Sequence, residues 1–230
     1  MTRFFAKCIL LMLPAFCSNA GSINFNGIAG AGNYNVASTS FLERRFKTVY
    51  KQQYDFSCGS ATLASLLTYH YDDTVDEQSV FVDMYQNGDQ QKIQQQGFSL
   101  LDIKFYLERR GYHSDGFKIK LDQLLTANVP AITIINNNGY LHFVIIKGLN
   151  EEEVLVGDPA VGIKAIPRDE FEAMWDNRIL FLIYDKQDVA ARHFQDQQEW
   201  ALRVKAPLGS AVDRSSLAQF NMLQPGRWDF

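Results

Sequence analysis

The chain has 230 residues, 47% of them hydrophobic and with 17 Phe and 10 Tyr, which is enough for a packed core and excludes wholesale disorder. Its 22 Lys and Arg against 26 Asp and Glu leave a net charge of −4, which gives no electrostatic case for nucleic acid or an anionic membrane surface. The length allows one full domain with extensions, and no repeat of about 20–50 residues is visible.

Residues 1–20 read as an export signal. Arg3 and Lys7 supply a positive start, Cys8 to Phe16 is apolar but too short to span a bilayer, and Ser18-Asn19-Ala20 resembles a small-x-small cleavage site. Cutting after Ala20 leaves 20 basic against 26 acidic residues, a balance of −6. A lipoprotein signal acylated at Cys17 is the rival, disfavoured by bulky Phe16 where a small residue is expected. No later stretch approaches the roughly 20 apolar residues of a membrane helix.

Residues 21–40, rich in Gly, Asn, Ser and Ala, read as a flexible leader or an extended arm that orders only against something else. From Phe41 to about 186 the pattern turns densely hydrophobic. Ser57 is a candidate N-cap for a helix from Gly59 to Tyr71, with Leu63, Leu67 and Tyr71 on one stripe. Thr74-Val75-Asp76-Glu77 matches a capping box for a helix ending at Asn87-Gly88, and Ser99 to Asp102 opens another that Gly111 closes. The Gln-rich run Gln90 to Gln96 between them is expected to be a solvated loop.

The second half changes period. Ala131 to Ile135 and Tyr140 to Gly148 read as strands joined by an Asn138-Gly139 turn. Val154 to Val156 and Ile163 to Ile166 are shorter strands, followed by a helix from Arg168 to Trp175 and a strand from Ile179 to Tyr184. Helices first and an antiparallel sheet second give an α+β fold. The stretch 187–230 is expected to hold a polar helix over 187–203 and an irregular, apolar-rich tail over 204–230.

Three cysteines are present, and loss of the leader removes Cys8 and Cys17. Cys58 is then a lone thiol in an exported protein, so an internal disulfide cannot be its purpose. A cysteine attacks carbonyl carbon as the thiolate, and a free thiol with a pKa of about 8.5 needs surroundings that favour the anion. A helix start and a histidine partner both do so. His142 lies on an apolar strand. Asp158 follows 16 residues later, where strand pairing returns the chain beside it, fit to orient the imidazole as in a nucleophile–base–orienter triad. The Cys58 backbone N–H and a side-chain amide from Gln52 or Gln53 are suited to a developing oxyanion. Taken singly, each has a plainer reading: a packed core cysteine, a structural strand histidine, an Asp-Pro turn, a glutamine pair without meaning.

Together they resemble a family. Residues from about 44 to 184 are similar to the bacteriocin-processing, double-glycine leader peptidases, papain-like cysteine peptidases known as N-terminal domains of ABC exporters. The resemblance rests on the Gln ahead of Asp55-x-x-Cys58-Gly59, the helix after it, the strand Gly139 to Val144, and Val156-Gly157-Asp158-Pro159. It implies a papain-like fold over 41–186, with Cys58 as nucleophile, His142 as general base and Asp158 as orienter. The family's six-residue spacing selects Gln52 for the oxyanion hole, and the family suggests glycines before the scissile bond. No G-x-x-x-x-G-K-[ST] loop is present, so no ATP site is expected in this chain.

A signal-bearing, free-standing member is similar to the peptidase component of bacterial functional-amyloid (Fap) systems. That implies a periplasmic location, with an amyloid subunit or an outer-membrane secretion pore as substrate or partner. His70, His113 and His193 show no metal-ligand spacing, so neither metal nor other cofactor is expected. His70 reads as a packing or surface residue, and Trp175 and Trp200 as core or docking aromatics. The rival readings are a catalytically silent module that grips a peptide, and another papain-like activity such as a peptidoglycan amidopeptidase or transglutaminase.

Overall fold

A computed structural model describes residues 22–26, 33–37, 39–54 and 56–202. The expected export signal and the tail over 204–230 lie outside them. The chain divides into two compact units, residues 1–44 and 45–230.

In the first unit, strands β1 (Ser22–Asn26) and β2 (Asn33–Ala37) pair antiparallel, with Ile23 opposite Val36 and Phe25 opposite Tyr34. A flexible leader or partner-dependent arm was the expectation here, and these two segments pair with each other instead. The period-2 alternation of Ile23 and Phe25, and of Tyr34 and Val36, with asparagines supplies the strand signal that the Gly and Asn content obscured. Helix α1 (Phe41–Arg45) follows, opened by a reciprocal cap in which Ser40 N–H donates to Glu43 and Glu43 N–H donates to Ser40 Oγ.

Helix α2 (Cys58–His70) is the axis of the second unit. Every residue from Cys58 to Leu67 is buried, which the small side chains of Gly59, Ser60, Ala61, Ala64 and Ser65 permit. Helices α3 (Glu77–Asn87), α4 (Gln90–Gln96) and α5 (Leu100–Arg109) come next in the chain. The capping box expected at Thr74 is not there: Asp76 caps α3 by accepting from Ser79 N–H, and Glu77 points elsewhere. The Gln-rich run is a helix rather than a loop. Asp89 caps it, Ile93 anchors it at 1% exposure, and Gly97 leaves it at φ +76°. The helix expected to open at Ser99 does so, and Ser99 and Asp102 form a capping box there.

Strand β3 (Ser114–Lys118) and helix α6 (Leu121–Ala127) lead into β4 (Ala131–Asn137), β5 (Tyr140–Leu149), β6 (Glu153–Asp158) and β7 (Gly162–Pro167). Helix α7 (Arg168–Met174), strand β8 (Ile179–Ile183) and helices α8 (Gln187–His193) and α9 (Gln197–Trp200) complete the described chain. The six strands form an antiparallel sheet in the order β3-β8-β4-β5-β6-β7. The fold is α+β, as the sequence indicates. Asn138 at φ 52° and Gly139 at φ 90° make the β4–β5 turn, the left-handed pair that a tight hairpin needs.

Helix α2 lies against β4 and β5, and Thr62 Oγ1 ties it to the Phe143 carbonyl at 3.2 Å. This places the start of α2 beside the start of β5. The other end of β5 is held from behind. Lys147, 1% exposed, pairs with Glu199 of α9 at 2.8 Å, and Gln195 N–H donates to the Lys147 carbonyl. The 187–202 stretch is therefore bonded into the domain. No helix among the described residues is long and apolar enough to cross a membrane.

Candidate active site

Cys58 is the first residue of α2 and 5% exposed. Ser57 stands at the N-cap, as the sequence suggests, but makes no side-chain cap hydrogen bond. Its buried hydroxyl turns away to Glu77 Oε1 at 2.7 Å and Tyr54 O at 3.0 Å, and accepts from Tyr54 N–H. Among the described residues, no side chain therefore caps the first-turn N–H groups of α2, which can face an anion at Cys58.

His142 comes from the third position of β5 and Asp158 from the last position of β6. The two strands pair with Ile145 opposite Gly157, which returns the chain to the level of His142. Both side chains are almost wholly buried, and His142 Nε2 lies 2.7 Å from Asp158 Oδ1. Nδ1 is the nitrogen left for the thiol; it is buried and makes no hydrogen bond. Burial by itself would lower the imidazole pKa, but Asp158 and then Cys58 outweigh it and raise it to about 9. Burial would likewise raise the Asp158 carboxyl; His142, Lys164 and the Ala160 N–H hold it down at about 2.

The turn after Asp158 is built to hold that carboxylate. Oδ1 also accepts from Ala160 N–H at 2.9 Å, an Asx turn, and Asp158 pairs with Gly162 across it. Gly162 sits at φ +82°, where an added Cβ would lie 2.6 Å from the Arg45 carbonyl oxygen. Lys164 is opposite Val156, and thus on the face that bears Asp158, with Nζ 3.0 Å from Oδ2. Sequence reading missed Lys164, since a single lysine on a short strand carries no signal until the β6–β7 register is known.

Gln52 is tied to this turn through its backbone, N–H to Pro159 O at 3.0 Å, and its side-chain oxygen is buried without a hydrogen bond. Gln53 is exposed. The structure thus brings Cys58, His142 and Asp158 into one buried cluster and runs Gln52 along its edge. Tyr140 stacks on His142, ring centroids 5.9 Å apart, and is half exposed. Of the other histidines, His70 is buried in α2 with neither ring nitrogen bonded and its pKa pushed well down by burial. His113 pairs with Asp185, and His193 with Asp72. Trp175 is core at 1% exposure, and Trp200 packs beside Val49, Leu155 and Ile163.

Residues 46–187 match the peptidase C39 family. The "Probable functional amyloid protease FapD" of Pseudomonas fluorescens is 40% identical over 185 residues, covering 79% of this chain and 81% of that protein. Its namesake in Pseudomonas aeruginosa is 38% identical over 174 residues, 76% of either chain. Among solved structures, the peptidase domain of Streptococcus ComA, a bi-functional ABC transporter, superposes with a TM-score of 0.49 at 19% identity, over 59% of this chain and 96% of that one. A double-glycine-motif protease from an AMS/PCAT transporter, solved with its leader peptide, gives 0.48 at 25% identity over 59% and 89%. The chain belongs to the peptidase C39 family, and it is a cysteine peptidase.

Proposed function

We propose that this protein is an exported endopeptidase of functional-amyloid biogenesis, cutting a protein substrate after small residues with Cys58 as nucleophile. The observation that carries the catalytic assignment is the buried His142–Asp158 contact beside Cys58. His142 held as imidazolium stabilises a neighbouring thiolate. The thiolate attacks the scissile carbonyl, and the negative charge on its oxygen meets the Cys58 N–H and the Gln52 amide. As the tetrahedral intermediate collapses, the C–N bond breaks and His142 gives its proton to the leaving amine. The neutral imidazole then takes a proton from water, which attacks the thioester and releases the acid product and the thiolate. Asp158 holds Nε2 throughout.

The amyloid setting and the periplasmic location are supported by the curated relatives and by residues 1–20 respectively. Glycines before the cut are the reading favoured by the family resemblance, and an amyloid subunit or secretion pore is the proposed substrate. The test is cleavage of a fluorogenic peptide with glycine at the two positions before the scissile bond. Cys58→Ala and His142→Ala are expected to abolish cleavage alike, because nucleophile and base act as a unit, while Asp158→Asn keeps a measurable remainder. Gln52→Ala is expected to lower kcat roughly 10²–10³-fold, and Gln53→Ala to be mild. Wild-type turnover by folded Cys58→Ala would end the peptidase assignment at this residue.

A further inference from the structure

Glu77 was assigned by its sequence neighbours to a local cap, and the fold gives it a different task. It is the first residue of α3 and 6% exposed, and its Oε1 takes two hydrogen bonds from a segment 20 or more residues away. One comes from Ser57 Oγ at 2.7 Å, the other from Gln53 N–H at 3.5 Å. Ser57 immediately precedes Cys58, and Gln53 immediately follows Gln52. A single buried carboxylate therefore bonds to both ends of the loop that carries both oxyanion donors. The same loop is tied on its other side by Gln52 N–H to Pro159 O, next to Asp158.

We propose that Glu77, acting through Ser57, is a positioning residue that sets the distance between the Gln52 amide and the Cys58 N–H. This rests on the reading of Gln52 as an oxyanion donor. A carboxylate taken out of water is costly unless hydrogen bonds satisfy it, and α3 already has its cap in Asp76. Tyr54 and Phe56 of that loop stack on each other and lean on Phe81 of α3, so the loop and the start of α3 share apolar contact as well as the Glu77 hydrogen bonds. Donors must lie about 2.7–3.1 Å from the developing oxyanion, so a loop released by loss of Glu77 retains substrate binding and loses rate.

The experiment is a double-mutant cycle on the glycine-containing fluorogenic peptide, with Glu77→Ala, Gln52→Ala and the pair. Glu77→Ala is expected to lower kcat about 10–100-fold with KM unchanged. The double variant is expected to be no slower than Gln52→Ala, and Glu77→Gln, whose amide oxygen still accepts, to recover most of the rate. Alkylation of Cys58 by iodoacetamide, which develops no oxyanion, is expected to proceed at the wild-type rate in Glu77→Ala. Losses that multiply in the double variant, a raised KM at unchanged kcat, or slowed alkylation would overturn the proposal. If Glu77→Ala lacks a cooperative melt, Ser57→Ala takes its place in the same cycle. A harmless Gln52→Ala removes the oxyanion reading and this proposal together. A slow Gln52→Ala beside a fully active Glu77→Ala removes this proposal alone.

Discussion

With Nε2 on Asp158 and Nδ1 left for Cys58, the His142 imidazole stays protonated through neutral pH, its pKa raised to about 9. Because the folded value lies above the unfolded one, this stabilisation is complete below the unfolded pKa of about 6.5 and is lost as pH rises through about 9. Asp158 works in the opposite direction: its share is complete above the unfolded value of 3.8 and is lost as pH falls through about 2. The ion pair is one interaction and counts once. With His142 in the proposed role, kcat/KM is expected to show a basic limb near pH 9, where the imidazolium is lost. Asp158→Asn is expected to move that limb to lower pH, because burial of His142 remains and the countercharge does not. Lys164→Met is expected to move it upward, since the ammonium 3.0 Å from Oδ2 draws on the same carboxylate. pH–rate profiles of both variants check the two signs; limbs that stay in place would mean the carboxylate does not set the imidazole's charge.

The elements written in local chemistry were readable in advance. Asn138-Gly139 dictates a tight hairpin, and Ser99 with Asp102 dictates a helix start, because turn and cap depend on neighbours a few residues apart. Helix α4 was misread because one buried residue, Ile93, holds an otherwise polar run in place. Strand β3 and helix α6 went unseen because Ser-Asp-Gly at the strand start resembles a turn and the helix opens on Lys120, which is not a capping residue type. Cys58, His142 and Asp158 stood out through residue type and order. Lys164, Ser57 and Glu77 did not, since their partners are fixed only by strand register and helix packing. The β6–β7 turn shows how demanding such register is. Gly162→Ala combines left-handed backbone with a Cβ 2.6 Å from the Arg45 carbonyl oxygen, whereas Gly139 has the same sign of φ and open space. Gly139→Ala is expected to cost about 1–2 kcal/mol from backbone strain alone. Gly162→Ala is expected to cost clearly more and to lower cleavage through Asp158. Urea unfolding of the two variants tests the order.

Strand β5 is bonded to the α8–α9 segment by side chain and backbone. Strand β5 carries His142 near its start and, at the bulge between Ile146 and Gly148, Lys147 buried against Glu199 and Thr48. Burial lowers the Lys147 pKa and Glu199 opposes that fall, so the ammonium depends on α9 for its charge. Removing one partner of such a pair leaves a stranded charge, and Glu199→Ala is expected to destabilise the fold by about 3–5 kcal/mol. Adding Lys147→Met should restore much of that loss, because well-packed apolar groups replace buried pairs at little cost. Thermal melts of the single and double variants decide it. Additive damage would mean the pair contributes nothing jointly.

The uncapped start of α2 has a thermodynamic side. A side-chain cap is worth about 0.5–2 kcal/mol to a helix, and Ser57, at the N-cap position with φ −93° and ψ 8°, supplies none and donates to Glu77 instead. The domain thus retains a small, localised instability at the helix end that bears the proposed nucleophile. Selection for tighter folding and selection for turnover pull on this residue in opposite directions. Thermostabilised descendants of this chain should carry their improvements at positions remote from 57.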